Sequence, residues 1–132
     1  MKAAVLRGGA LVVDEVPDPV PGPGQVLVKT LACGICGSDL HFLKFGDQLV
    51  DLSNQLGGAG AFSVDLSKDL IMGHEFSAEV LEVGPDTQSA VKPGDTVVSV
   101  PIMLPPNFDM TDLSGVEPIG SYSNRYNGGY AE

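Results

Sequence analysis

Basic residues are scarce in this chain. Seven Lys and Arg stand against seventeen Asp and Glu, a formal net charge of −10. A surface of that sign repels phosphate backbones, which excludes nucleic acid as a partner. Long apolar runs are missing too. Nothing approaches the roughly eighteen consecutive apolar residues of a membrane span, and the opening Met1-Lys2-Ala3-Ala4-Val5-Leu6 run stops at Arg7, too short for a secretory signal core. No membrane partner is expected. Cysteine is confined to Cys33 and Cys36. That excludes a disulfide framework and, with no second Cys-x-x-Cys, a closed four-cysteine zinc cage; without an export signal it places the chain in a reducing cytoplasm. A dinucleotide fingerprint is lacking as well. Gly22-Pro23-Gly24 and Gly58-Ala59-Gly60 come nearest, but neither has the third glycine, and neither follows a strand and opens a helix.

What is present suits one folded domain. A globule of 132 residues buries roughly two-thirds of its unfolded surface, and 43% hydrophobic with 18% charged residues is ordinary for such a domain. Val, Ile and Leu alternate with polar residues between Gly and Pro punctuation, which reads as mainly β. Strands are expected over Lys2–Leu6, Leu11–Val16, Gln25–Ala32, Glu75–Val83 and Thr96–Val100, in a barrel or sandwich. The proline-rich stretch Pro17 to Gly24 has too few amide protons for a ladder and must be a surface connection. Lys92-Pro93-Gly94-Asp95 predicts a type II turn before Thr96. Phe45 to Asp69 and Pro101 to Asn127 read as long loops, and the one helical hint is a short turn over Ser38–Leu43, capped by Ser38 or Asp39. The last residues, Asn127-Gly128-Gly129-Tyr130-Ala131-Glu132, read as a turn and a strand just beginning, so a longer protein is expected.

Chemistry-bearing residues concentrate in two places. One is Cys33-Gly34-Ile35-Cys36-Gly37-Ser38-Asp39-Leu40-His41, and the other is Gly73-His74-Glu75-Phe76. Thiolate, imidazole and carboxylate are the ligands zinc takes, and a catalytic site needs three with a fourth position open; Cys36, His74 and Glu75 supply that number. Taken alone, His74 reads as a hydrogen-bonded core histidine, and only its combination with the Cys36 segment reverses this. Cys33, ending an apolar strand, reads as a small buried hydrophobe. A redox pair is disfavoured, because such pairs follow a strand and open a helix in a βαβ unit, whereas the surroundings here read as all β.

Gly34-Ile35-Cys36-Gly37-Ser38-Asp39-Leu40-His41 with Gly73-His74-Glu75 resembles the zinc-dependent medium-chain alcohol dehydrogenases. So do Pro23-Gly24-Gln25-Val26-Leu27-Val28-Lys29 and Val91-Lys92-Pro93-Gly94-Asp95-Thr96-Val97. The likeness runs from Met1 to about Val100, resumes at Gly128–Glu132 and omits the two long loops. It implies a GroES-like catalytic domain over residues 1–132, a distorted β-barrel with long loops and little helix, ahead of a Rossmann domain absent from this chain. It further implies that Cys36 and His74 bind a catalytic zinc, with Glu75 beside the metal either as an alternate ligand or as a carboxylate just outside the ligands. Ser38 would take the proton from the bound alcohol, His41 would continue a relay toward solvent, and Asp39 would hydrogen-bond His74. The competing roles are helix caps for Ser38 and Asp39 and an exposed surface histidine for His41. The implied substrate is a small alcohol or polyol, the acceptor NAD or NADP held by the absent domain, and the full-length enzyme a homo-oligomer.

Where relatives carry a structural zinc on four cysteines, this chain has Met103-Leu104-Pro105-Pro106-Asn107-Phe108-Asp109-Met110. One catalytic zinc and no structural zinc is therefore expected, with that lobe held by apolar contacts or left mobile. Without a nicotinamide site the 132 residues alone are expected to be inactive. A free-standing GroES-like binding or oligomerisation module is the alternative from another class. A zinc-free quinone-reductase-like enzyme would have no chemical reason to keep Cys36, Ser38, Asp39, His41, His74 and Glu75 together.

Overall fold

The computed structural model describes residues 1–55, 64–98, 100–105, 109–111, 115–120 and 122–132. In chain order its elements are β1 (Lys2–Arg7), β2 (Ala10–Glu15), β3 (Val26–Cys33), α1 (Gly37–Gln55), β4 (Leu70–Ile71), β5 (Phe76–Val83), β6 (Thr96–Val98), β7 (Ile102–Met103) and β8 (Glu117–Pro118). All five expected strands form, each within two residues of its expected bounds, and Ser99 lies outside the described residues. The expected turn forms as well: Asp95 N–H donates to Lys92 O at 3.1 Å across Gly94, whose φ is +91°. The short strands β4, β7 and β8 carry too few residues to show alternation.

The strands are arranged as three sheets, ordered β2-β1-β4, β3-β5-β6 and β7-β8, and every pairing is antiparallel. Among the described residues they do not close into a barrel. The pairing that matters for function is β3 with β5. It is bulged twice, between Leu27 and Val28 and between Thr30 and Ala32, and it ends with Cys33 opposite Phe76. An antiparallel pair places the exit of one strand beside the entrance of the other. Gly34 and Glu75 therefore meet, and Gly34 N–H donates to Glu75 O at 2.7 Å. The Val26-Leu27-Val28 run, apolar on both faces, is only half-buried, because it lines an open cleft of about 770 Å³ with Val80, Val97 and Ile119.

The expected loop from Phe45 is in fact helical as far as Gln55, so the chain carries much more helix than a short turn at Ser38–Leu43. Asp39, Phe42 and Gly46 are buried along α1, and Leu43, Leu49 and Val50 pack beside them. That i, i+3, i+4, i+7 spacing gives one buried helical stripe. Gly46 interrupts it in the sequence, and the helix kinks next door at Phe45 (φ −130°, ψ 17°), beside its poorest helix former. The remainder of that segment's centre, residues 56–63 with the Gly57–Gly60 run, lies outside the described residues.

The stripe closes the main core. Phe42 packs with Leu6, Val64, Leu70 and Met72, and each such side chain stabilises the fold by roughly 1.5–3 kcal/mol when fully buried. Helix α1 is thereby held against β1 and β4. Polar contacts anchor the second long segment beside the packing of Tyr122 on the main core. The Asn124 amide donates to the carbonyls of Asp65 and Asp69, at 3.2 and 3.1 Å, and Arg125 pairs with Glu117 on β8. Residues 106–108 of the Met103–Met110 stretch lie outside the described residues. No helix among the described residues is long and apolar enough to cross a membrane.

Candidate metal centre

Sulfur, nitrogen and oxygen donors converge at the end of the β3–β5 pair. Cys36 lies in the connection between β3 and α1, and His74 and Glu75 lie between β4 and β5. Their donor atoms all fall within 4.8 Å of one another. His74 is buried, Cys36 half-buried and Glu75 exposed, so the cluster is open to solvent on the carboxylate side. This donor set fits a zinc ion with a fourth position free for a small molecule. Cys33 is not among the three. It is half-buried at the end of β3, and burial pushes its thiol pKa up, which suits packing better than ligation.

Asp39 organises the cluster from below. It is 1% exposed, and a carboxylate so deep in protein needs hydrogen-bond donors. Its Oδ1 faces His74 Nδ1 at 3.4 Å, and its Oδ2 accepts from the Cys36 N–H at 3.0 Å. A carboxylate only accepts, so a hydrogen bond at this contact requires the His74 proton on Nδ1, the tautomer whose Nε2 can bind a ligand. The Cys36 contact is also half of a capping box, in which the third helical residue reaches back to the cap amide. The same carboxylate thus contacts both the amide at the start of α1 and the ring of His74.

Ser38 lies at the same edge, its Oγ 3.4 Å from His74 Nε2, so it borders the position a ligand of that nitrogen would take. His41 stands exposed one turn further along α1, its ring 6.0 Å from that of Phe45 in an edge contact. Cys33 and Cys36 do lie between a strand and a helix. The next strand, β4, belongs to the other sheet and runs antiparallel to β1, so the βαβ setting of a redox pair is absent among the described residues.

The residue missed by sequence reading is Tyr130. Its hydroxyl donates to Asp39 Oδ2 at 2.9 Å and lies 3.3 Å from Gly34 O. Burial, then the bond to Asp39, hold the phenol pKa well above the ordinary range. Tyr122 also reaches the site, its ring 5.8 Å from that of His74 and edge-on to Phe42. The one signal was Tyr130's place after Gly128-Gly129, which reads as a strand start and says nothing of a partner 91 positions away.

The sequence profile of the alcohol dehydrogenase GroES-like domain matches residues 22–132, most of the chain and all of this cluster. The chain belongs to the alcohol dehydrogenase GroES-like family. Among sequence relatives of this GroES-like chain, the L-threonine 3-dehydrogenase of Pyrococcus furiosus is 38% identical over 97 residues, covering 74% of this chain and 23% of that protein. Among solved structures, a Sinorhizobium meliloti protein classed as a zinc-binding dehydrogenase, bound to NADP, superposes with a TM-score of 0.69. It is 28% identical, over 99% of this chain and 34% of that one. The galactitol-1-phosphate dehydrogenase of Escherichia coli gives 0.67 at 29% identity, over 100% and 34%. The chain thus spans about a quarter of the length of the curated relatives it matches.

Proposed function

We propose that these residues form the N-terminal, metal-bearing catalytic domain of an NAD(P)-dependent alcohol or polyol dehydrogenase. The convergence of Cys36, His74 and Glu75 carries this reading, supported by the family to which the chain belongs. Cys36 Sγ, His74 Nε2 and a Glu75 oxygen would hold one zinc ion. Bound there, the ion supplies Lewis-acid chemistry that lowers the pKa of an alcohol and favours the alkoxide. Ser38 Oγ, bordering His74 Nε2, accepts the hydroxyl proton of the alcohol as its own proton leaves toward His41. His41, exposed one turn along α1, passes that proton to water. Asp39 keeps the proton of His74 on Nδ1. A nicotinamide, held by residues outside this chain, would supply the hydride acceptor, so the 132 residues alone would be inactive, and the substrate class is a small alcohol or polyol.

Zinc content per chain, after purification without chelator, tests the reading. About one zinc in the parent, lost in both Cys36→Ala and His74→Ala, is the expected result for an open three-ligand site. A folded parent that takes up no zinc, even when extended to the length of its relatives, would refute it. The extended protein should also reduce NAD(P) in the presence of an alcohol, and the 132 residues should not.

A further inference from the structure

We propose that Tyr130 is a positioning residue for the metal centre: its hydroxyl fixes the Asp39 carboxylate, and through it the His74 ring, with Nε2 presented to the ion. This rests on the zinc-site reading above. Asp39 Oδ2 takes two donors, the Cys36 amide at 3.0 Å and the Tyr130 hydroxyl at 2.9 Å, while Oδ1 faces His74. One donor leaves a carboxylate free to swing about that bond, whereas two donors on the same oxygen fix the direction of the other. The phenol has a single proton and two acceptors in reach. The Asp39 oxygen, at 2.9 Å, is nearer than Gly34 O, at 3.3 Å, so it takes the proton.

Tyr130 is itself held from two sides. Its N–H donates to Met72 O at 3.0 Å, and its carbonyl accepts from the Ala4 N–H at 2.8 Å. The neighbouring Gly129 N–H donates to Gly73 O at 2.8 Å, next to His74. The ring packs on the main core. Backbone and ring thus set the hydroxyl, the hydroxyl sets Asp39, and Asp39 sets the ligand. The oxygen atom is the part that acts on the metal site, since a phenylalanine ring would fill the same space.

The test is a double-variant cycle on zinc affinity, measured by competition with a chromophoric chelator, with cobalt(II) absorption as the spectroscopic reading. Tyr130→Phe should weaken zinc binding about tenfold, in the range found for groups that orient metal-bound histidines, and shift the cobalt ligand-field band. Asp39→Asn should weaken it too. The double variant should then be no weaker than Asp39→Asn alone, because the hydroxyl acts through that carboxylate. A folded Tyr130→Phe that binds zinc within about twofold of the parent with an unchanged band overturns the proposal, as do independent losses that add in the double variant. If Tyr130→Phe does not fold, fluorinated tyrosine in a Tyr122→Phe, Tyr126→Phe background leaves Tyr130 alone labelled. A stronger donor there should shift the cobalt band, and no shift overturns the idea. A parent that binds no zinc sinks the metal-site reading itself, and this inference with it.

Discussion

Gly73 leaves little room for a side chain, and replacing it by alanine has a calculable cost. Its φ is +91°, a backbone conformation that disfavours any Cβ by about 1–2 kcal/mol. A Cβ at this position would also fall 2.7 Å from a ring carbon of Tyr130 and 2.9 Å from Cys33 Sγ. Neither neighbour can retreat easily, since the Tyr130 backbone is bonded on both sides and Cys33 ends a paired strand. Overpacking of this kind adds about 1–3 kcal/mol, for a total near 2–5. Gly94 separates the two contributions, because it has the same φ of +91° and open space within 4 Å of where its Cβ would sit. Urea unfolding of both variants, followed by circular dichroism, should show Gly94→Ala losing about 1–2 kcal/mol and Gly73→Ala roughly twice that or more. Equal losses would show that the packing around Gly73 is not as described. Zinc affinity should fall in Gly73→Ala alone, because the displaced Tyr130 ring carries its hydroxyl away from Asp39.

Two further outcomes follow from the core and from the surface. Phe42→Ala should cost about 3–5 kcal/mol, whereas Leu52→Ala, further along the same helix and 52% exposed, should cost little; similar losses on urea unfolding would contradict the buried stripe of α1. Arg7 forks onto both oxygens of Asp69 and reaches Asp14, and it holds both carboxylates below their ordinary range. Depressed carboxylate pKa values stabilise the fold above the unfolded value of about 4, and that contribution disappears as pH falls through the folded values. The stability gap between parent and Arg7→Gln should therefore be present at neutral pH and close in acid, and a gap that persists unchanged below the carboxylate range would refute the pairing.

The strands were legible from the sequence because each is a local pattern. The short apolar runs of β1, β2 and β3 and the partial alternation of β5 needed no knowledge of a partner, and Pro93-Gly94 carries its turn geometry in two residues. Helix α1 was legible only at its start. Its apolar pattern is interrupted by Gly46, and the burial that stabilises it comes from Leu6, Leu70 and Met72, distant in sequence. Tertiary packing, more than propensity, decides such a helix.

Cys36, His74 and Glu75 could be picked from the sequence by residue type, since few other side chains bind zinc, and a resemblance carried by short motifs supported the choice. Their meeting within 4.8 Å is a consequence of pairing Cys33 with Phe76 across two antiparallel strands. Tyr130 lay beyond any such reading. A phenol is a common core side chain, and it becomes a partner of Asp39 only because its backbone is clamped between Met72 and Ala4. Residue chemistry therefore named the candidate ligands of this protein, while the three-dimensional fold alone brought their hydrogen-bond partners to them, because a hydrogen bond depends on distance and direction, and neither is encoded near Tyr130 in the chain.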